Sequence, residues 1–200
     1  MNGHRVVIDE PRPAGLRHSS GRFATAIPHR VVVDEARGVT EIHLSGDHVA
    51  LIDSEDAAVA LATRWHAYKH GRTWYARGNN KRGETPSTLF LHRTVLRAAP
   101  GTIVDHINHD GLDCRKGNLR FATSAQQNAN RLKPVIFTTS RFRGVHAWRD
   151  KGGVIRWRAG VQSRGVQRRV SCATEIDAAR AYNALASEAF SEFALLNEVP

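Results

Sequence analysis

The chain has 200 residues, 41% of them apolar, and its 29 Lys and Arg outnumber 19 Asp and Glu to give a net charge of +10. No run approaches the roughly 18 to 20 apolar residues of a membrane span, and the first residues lack the apolar stretch of about 7 to 15 that a secretory signal needs. Two cysteines, Cys114 and Cys172, are too few for a disulfide framework and form no CxxC pair for zinc, so the expectation is an unsecreted chain in a reducing interior, with no membrane partner and a polyanion to meet.

Residues 1–38 hold three prolines and four glycines around the compact apolar cluster Val31–Val33, and read as a flexible arm. From residue 39 the pattern changes. EIHLSGDHVALID reads as two short strands around a Gly-Asp turn, and DSEDAAVALATRW as an acidic turn before an Ala-rich helix. RWHAYKH and TWYARGN form a further pair, and STLFLHR resumes the strand pattern, giving a small mixed sheet. HRTVLRAA then reads as one or two helical turns ended by Pro100-Gly101.

Residues 104–123, VDHINHDGLDCRKGNLRFAT, place two histidines, three aspartates and two asparagines between apolar segments. A strand ending at Asp105, a loop, a strand over 118–122 and a helix capped by Thr123 or Ser124 and running to Arg131 follow from the pattern. Phosphodiester hydrolysis in such a site needs a base to activate water and a cation to stabilise the phosphorane and the leaving oxygen. His106 offers the base and Asp105 a cation ligand. Residues 91–131, with their HR, DHIN, GLDCR and NLR elements in order, resemble the HNH endonucleases of phage and homing type. The resemblance implies a ββα-metal core over 102–131 in which His106 is the general base, Asp105 ligates a divalent cation, probed as Mg²⁺ or Mn²⁺, and Asn118 braces the loop. A second ligand is implied on the following helix, at Gln127 or Asn128, with Asn128 preferred; consecutive positions there point about 100° apart. Cys114 stands where the family commonly has Asn, which is expected to weaken hydrogen bonding within the loop. His109 is expected to bond to solvent, and His92 to be structural or substrate-positioning. Residues 41–90 resemble, more loosely, the segment that precedes the motif in some of these nucleases.

LKPVIFTTS has a proline and no helical period, which makes 132–139 a linker. Residues 131–172 carry eleven Lys or Arg against one acid, Asp150, and residues 173–200 carry one Arg against five acids. In the basic run SRFRGVHAWR, VIRWRAGVQ and QRRVSCAT read as three strands. TEIDAARAYNALASEAF reads as a helix with Thr174 and Asp177 at capping-box spacing, and its stripe continues through Ala178, Tyr182, Leu185, Ala189 and Phe193. Alternation puts Ile155, Trp157, Ala159 and Val161 toward the helix and Arg156, Arg158 and Gln162 away from it. Residues 140–197 resemble the AP2/ERF DNA-binding domain through FRGV, RWRA, DAARAYN and LLN. This implies that Arg143, Trp148, Arg149, Arg156 and Arg158 face DNA with Arg168 or Arg169, while His146 stands where plant members often carry a base-reading Arg.

The expected fold class is α+β: a β-rich extension with a ββα-metal nuclease unit over 39–131, the linker, and a three-stranded antiparallel sheet packed on one helix over 140–200. The expected function is a metal-dependent endonuclease acting on double-stranded DNA held by the second sheet. It would work inside a bacterial or phage-infected cell, in the cytoplasm or at the nucleoid. The alternative is a DNA-binding regulatory protein whose nuclease unit has decayed. RNA processing fits the charge, but a sheet of this width suits the major groove of B-form DNA better.

Overall fold

A computed structural model describes residues 5–10, 29–79, 88–131 and 139–200. The chain divides into two compact units, 1–121 and 122–200.

In the first unit β1 (Arg5–Glu10), β2 (His29–Asp34), β3 (Val39–His43) and β4 (Val49–Asp53) form an antiparallel sheet in sequence order. Within the arm expected over 1–38, the described stretches therefore contain β1 and β2. Val31 and Val32 are fully buried, and a β-branched triplet adjoining a sheet gains more from burial there than a free chain gains in entropy. Residues 1–4 and 11–28 of that arm lie outside the described residues. An acidic 3-10 turn, Ser54–Asp56, leads into α1 (Ala57–Ala62). A second antiparallel sheet contains β5 (His66–His70), β6 (Thr73–Asn79) and β7 (Thr88–Phe90), so the expected mixed sheet is two antiparallel ones. The strand expected through STLFLHR stops at Phe90, because Leu91 and Val95 lie one helical turn apart and both bury as α2 (Leu91–Val95). β8 (Ile103–His106) and β9 (Leu119–Ala122) then form a two-stranded sheet. One core joins Val31, Ile42, Ile52, Trp65, Leu91 and Cys114.

The second unit begins with α3 (Ser124–Asn130), whose Thr123 N-cap makes a full capping box with Gln126. β10 (Val145–Arg149), β11 (Ile155–Ser163) and β12 (Val166–Cys172) form an antiparallel sheet packed on α4 (Glu175–Phe190). Thr174 caps α4 by accepting from the Asp177 amide at 3.1 Å. Ala178 and Tyr182 are buried, Leu185 and Ala189 pack at the margin, and Phe193 is buried just past the helix end. Gly144 fixes how near the sheet comes to α4: its φ is +66°, and an added Cβ would lie 2.1 Å from the Tyr182 ring. Asn197 closes the unit: its side-chain amide bonds both backbone groups of Arg143, and its own backbone N–H and carbonyl are bonded by the side-chain amide of Asn183.

The division between units falls before α3, whereas the sequence places it after, in the linker. The physical reason is Arg143, whose guanidinium donates to the carbonyls of Asn128, Ala129 and Arg131 and whose Nε donates to the Tyr182 hydroxyl at 2.8 Å. Residues 132–138 of the expected linker lie outside the described residues.

Candidate active site

Asp105 and His106 are the last two residues of β8, and both are buried. Neighbours on a strand point to opposite sides, but here the strand ends, and the turn beginning at Ile107 brings the chain round so that the Ile107 amide donates to the Asn118 carbonyl at 2.9 Å. Asp105 Oδ2 accepts from Arg120 Nε and lies 3.0 Å from Arg120 Nη2 as well. Arg120 belongs to β9, and this nearly buried pair joins the two strands.

The loop between the strands is held by its own polar side chains. Asn118 Nδ2 donates to Asn108 Oδ1 at 2.9 Å and to the Asp113 carbonyl at 2.8 Å, while its Oδ1 accepts from the Asn108 amide at 3.0 Å. Asp113 accepts from Asn108 Nδ2 and receives a two-pronged contact from Arg115, each prong 2.7 Å, which holds its carboxyl below the usual carboxylate range. Asp110 accepts from the Leu112 amide in an Asx turn. The loop is tied outward too. The Leu51 amide donates to the Leu112 carbonyl and the Leu51 carbonyl accepts from the Cys114 amide, and Lys116 reaches Glu55 and Asp56 while its amide donates to Asp53. Gly111 passes so close to β6 that an added Cβ would lie 2.3 Å from the Trp74 carbonyl oxygen.

Behind the loop, His106, His92 and Tyr75 form a ring cluster, with centroids 5.0 Å apart between the histidines and 5.7 and 5.9 Å from Tyr75 to His92 and His106. Burial lowers the proton affinity of His106, although Asp105, Asp110 and Asp113 pull the other way. His92 is pushed down to about 3 by burial, by His106 and by Arg93. Arg93 itself donates to the carbonyls of Ala99 and Thr102 and so fixes the turn before β8. The Cys114 sulfur is fully buried and donates to the Gly111 carbonyl within the loop at 3.8 Å, and one ligand atom each of His92, His106 and Cys114 lie mutually within 4.8 Å. His109 adopts a left-handed φ of 66° within the turn, and its amide donates to the His106 carbonyl at 3.2 Å.

Gln127 and Asn128, on α3, both have exposed side chains. They belong to the second unit, whereas Asp105, His106 and Asn118 belong to the first.

In the second sheet the register pairs His146 with Arg158, Trp148 with Arg156, Arg158 with Ser171 and Gly160 with Arg169. These residues share the face turned from α4. The Arg158 guanidinium lies 4.4 Å from the Trp148 ring centroid, and Arg156 pairs with Asp150 at 3.3 Å. Three residues expected to face DNA, Arg168 as the alternative to Arg169, are placed elsewhere than on that face. Arg168 pairs with Val161, putting it on the helix side, where it forms an ion pair with Glu188. Arg149 pairs with Ile155, again with helix-side parity, and donates to the Gly153 carbonyl. Arg143 precedes the sheet and spends its donors on α3 and Tyr182. Ile155, expected in the core, is 52% exposed because β11 runs past the end of the packed layer, whereas Ala159 and Val161 are buried and Trp157 packs at the margin.

Sequence reasoning missed Arg120 and Tyr75. Arg120 follows Asn118 by two residues, the spacing that returns a side chain to the same face of a strand, and this signal could have paired it with Asp105. Tyr75 lies on another sheet and has no local signal.

Residues 89–129 match the family model described as HNH endonuclease. Over 113 residues the chain is 34% identical to an uncharacterized HNH endonuclease of Acanthamoeba polyphaga mimivirus, a stretch covering 55% of this chain and 56% of that protein. The chain thus spans about half the length of the curated relative it matches. No solved structure matches. Residues 89–129 are thus similar to the HNH endonucleases, with His92 and Arg93 of the matched segment on α2, Asp105 and His106 on β8, and Leu119 and Arg120 on β9.

Proposed function

We propose that the chain is a metal-dependent DNA endonuclease in which His106 is the general base, Asp105 holds a divalent cation, and the outer face of the second sheet binds double-stranded DNA. The observation that carries this reading is the Asp105–His106 pair at the end of β8, presented by a loop that Asn118 braces through three hydrogen bonds. Burial favours the neutral imidazole, which is the form that accepts a proton. His106 takes a proton from water, the water oxygen bonds to phosphorus, and the phosphorus–oxygen bond to the leaving sugar breaks. The cation, when bound, supplies positive charge to the phosphorane and the leaving oxygen. A carboxylate oxygen is the donor that a hard cation such as Mg²⁺ takes, which suits Asp105 and not the His92, His106 and Cys114 set. The second ligand expected from sequence, Asn128 or Gln127, is distinguished by which single alanine variant raises the Mg²⁺ requirement.

On the second sheet, His146, Trp148, Arg156, Arg158 and Arg169 share a face, a pattern suited to phosphate neutralisation and guanine reading in a major groove. This follows the AP2/ERF resemblance and supports a division of labour between cutting and binding. The experiment is plasmid nicking with Mg²⁺ or Mn²⁺, with an EDTA control. His106→Ala is expected to lower nicking by about 10²- to 10⁴-fold with binding near normal, and a variant that cuts like the parent overturns the assignment of the base. One observation favours the second reading, a DNA-binding regulator with a decayed nuclease: Asp105 Oδ2 is already engaged by Arg120. Intact binding with no metal-dependent nicking by the parent chain would select it.

A further inference from the structure

Beside the hard oxygen donor at Asp105 lies a donor set of the opposite character. We propose that His92, His106 and Cys114 form a site for a thiophilic divalent cation, of which Zn²⁺ is the type case, and that filling it withdraws His106 from use as a base. The second half rests on the function proposed above; the first half does not.

Three separate segments supply the ligands. His92 comes from α2, held by the buried Leu91 and Val95 on either side of it. His106 ends β8, and Cys114 sits in the loop, where its amide donates to the Leu51 carbonyl at 2.8 Å. All three are buried, and one ligand atom from each lies within 4.8 Å of the others. Tetrahedral zinc with bonds of about 2.0 to 2.3 Å places its donors roughly 3.5 Å apart, so closure asks for about 1 Å of side-chain adjustment. His92 Nδ1 is buried with no hydrogen-bond partner among the described residues, a costly state that coordination of that ring could relieve.

The chemistry of the set selects the metal. Imidazole and thiolate suit Zn²⁺, Co²⁺ and Cd²⁺, whereas Mg²⁺ prefers oxygen and gives up its waters reluctantly. Binding displaces the thiol proton to solvent, forms one metal–sulfur and two metal–nitrogen bonds, and leaves a fourth position for water. Asp105, Asp110 and Asp113 make the surroundings of His106 favourable to positive charge. The same burial that disfavours a lone thiolate and an imidazolium is satisfied by a thiolate and two neutral rings around a cation. An imidazole nitrogen bonded to metal has no lone pair for a water proton.

The test titrates the full chain, cleared of metal, with Co²⁺ and Cd²⁺ and follows the thiolate-to-metal charge-transfer absorption. One equivalent should bind, Cys114→Ser should lose the band, Cys172→Ser should keep it, and His92→Gln should bind at least tenfold more weakly. A missing band, or one lost in Cys172→Ser but kept in Cys114→Ser, overturns the site. Because Cys114→Ser alters a core position, X-ray absorption of the zinc-loaded parent gives an independent reading: one sulfur and two imidazoles support the site, and a shell without sulfur overturns it. Zinc added over excess Mg²⁺ should suppress nicking by the parent, with His92→Gln needing at least tenfold more; equal sensitivity overturns the link to His106. Metal binding without any nicking by the parent would sink the nuclease reading and leave the site standing. Nicking without binding would do the reverse.

Discussion

The two units use polar residues in opposite ways. Around β8 the buried carboxylates of Asp105 and Asp113 are tied to half-buried and exposed partners in a side-chain network: Asn118 with Asn108 and Asp113, Asp113 with Arg115, Asp105 with Arg120. On the second sheet the basic residues stand on an open face, positioned only by strand parity and by a few light contacts such as Arg158 over Trp148. A buried network fixes atoms to the tolerance that chemistry requires, and losing one member leaves others unsatisfied. An exposed array acts through summed charge, so each member matters less and salt matters more.

That contrast predicts a graded series. Asn118→Ala removes three hydrogen bonds from the loop and is expected to lower nicking by about 10²-fold, on the scale of a misplaced catalytic group, while DNA affinity in a mobility-shift assay stays near that of the parent. A smaller effect concerns acid stability. His92 folds with a proton affinity near 3, whereas the unfolded side chain titrates near 6.5, so the unfolded state binds the extra proton between those values. The stability this residue allows is therefore present above about pH 6.5 and lost as pH falls toward about 3. In urea titrations with EDTA, its contribution to the slope is at most about 1.4 kcal/mol per pH unit, and His92→Gln flattens that slope. Arg156→Ala with Arg158→Ala should weaken DNA binding and lower the salt-dependence exponent by about 2 if both neutralise phosphates, leaving His106 chemistry on bound DNA unaltered. The smallest change belongs to Arg168→Ala: its exposed ion pair with Glu188 is worth about 0 to 1 kcal/mol, and the salt exponent should not move. An Arg168 effect as large as that of the Arg156 and Arg158 pair would break the assignment of faces.

Legibility followed the range of the interactions. The hairpin pairs, the Ala-rich α4 with its Thr174 cap and the alternation of β11 were readable because each depends on residues a few positions apart. The Asp105–His106 pair was readable from a motif that carries long-range structure in compressed form. What could not be read depends on register or on distant packing. Arg168 and Arg169 are adjacent, and only the turn at Arg164–Gly165 decides which of them faces α4. Val31–Val33 look like an isolated cluster until β3 is laid beside them. Cys114 and His92 are far apart in sequence, and no spacing rule brings a helix and a loop together behind β8.

Arg143 has a consequence for any attempt to dissect the chain. Its guanidinium accepts the role that a helix end usually leaves to solvent or to a C-terminal glycine, covering the last carbonyls of α3 and joining them to Tyr182 of α4. The family-matched segment, 89–129, therefore finishes inside a helix whose end is secured by a residue beyond it. A fragment cut after Arg131 would carry the whole motif and still lack the cap of its last helix. The boundary of the family match and the boundary of structural independence are different lines on this chain.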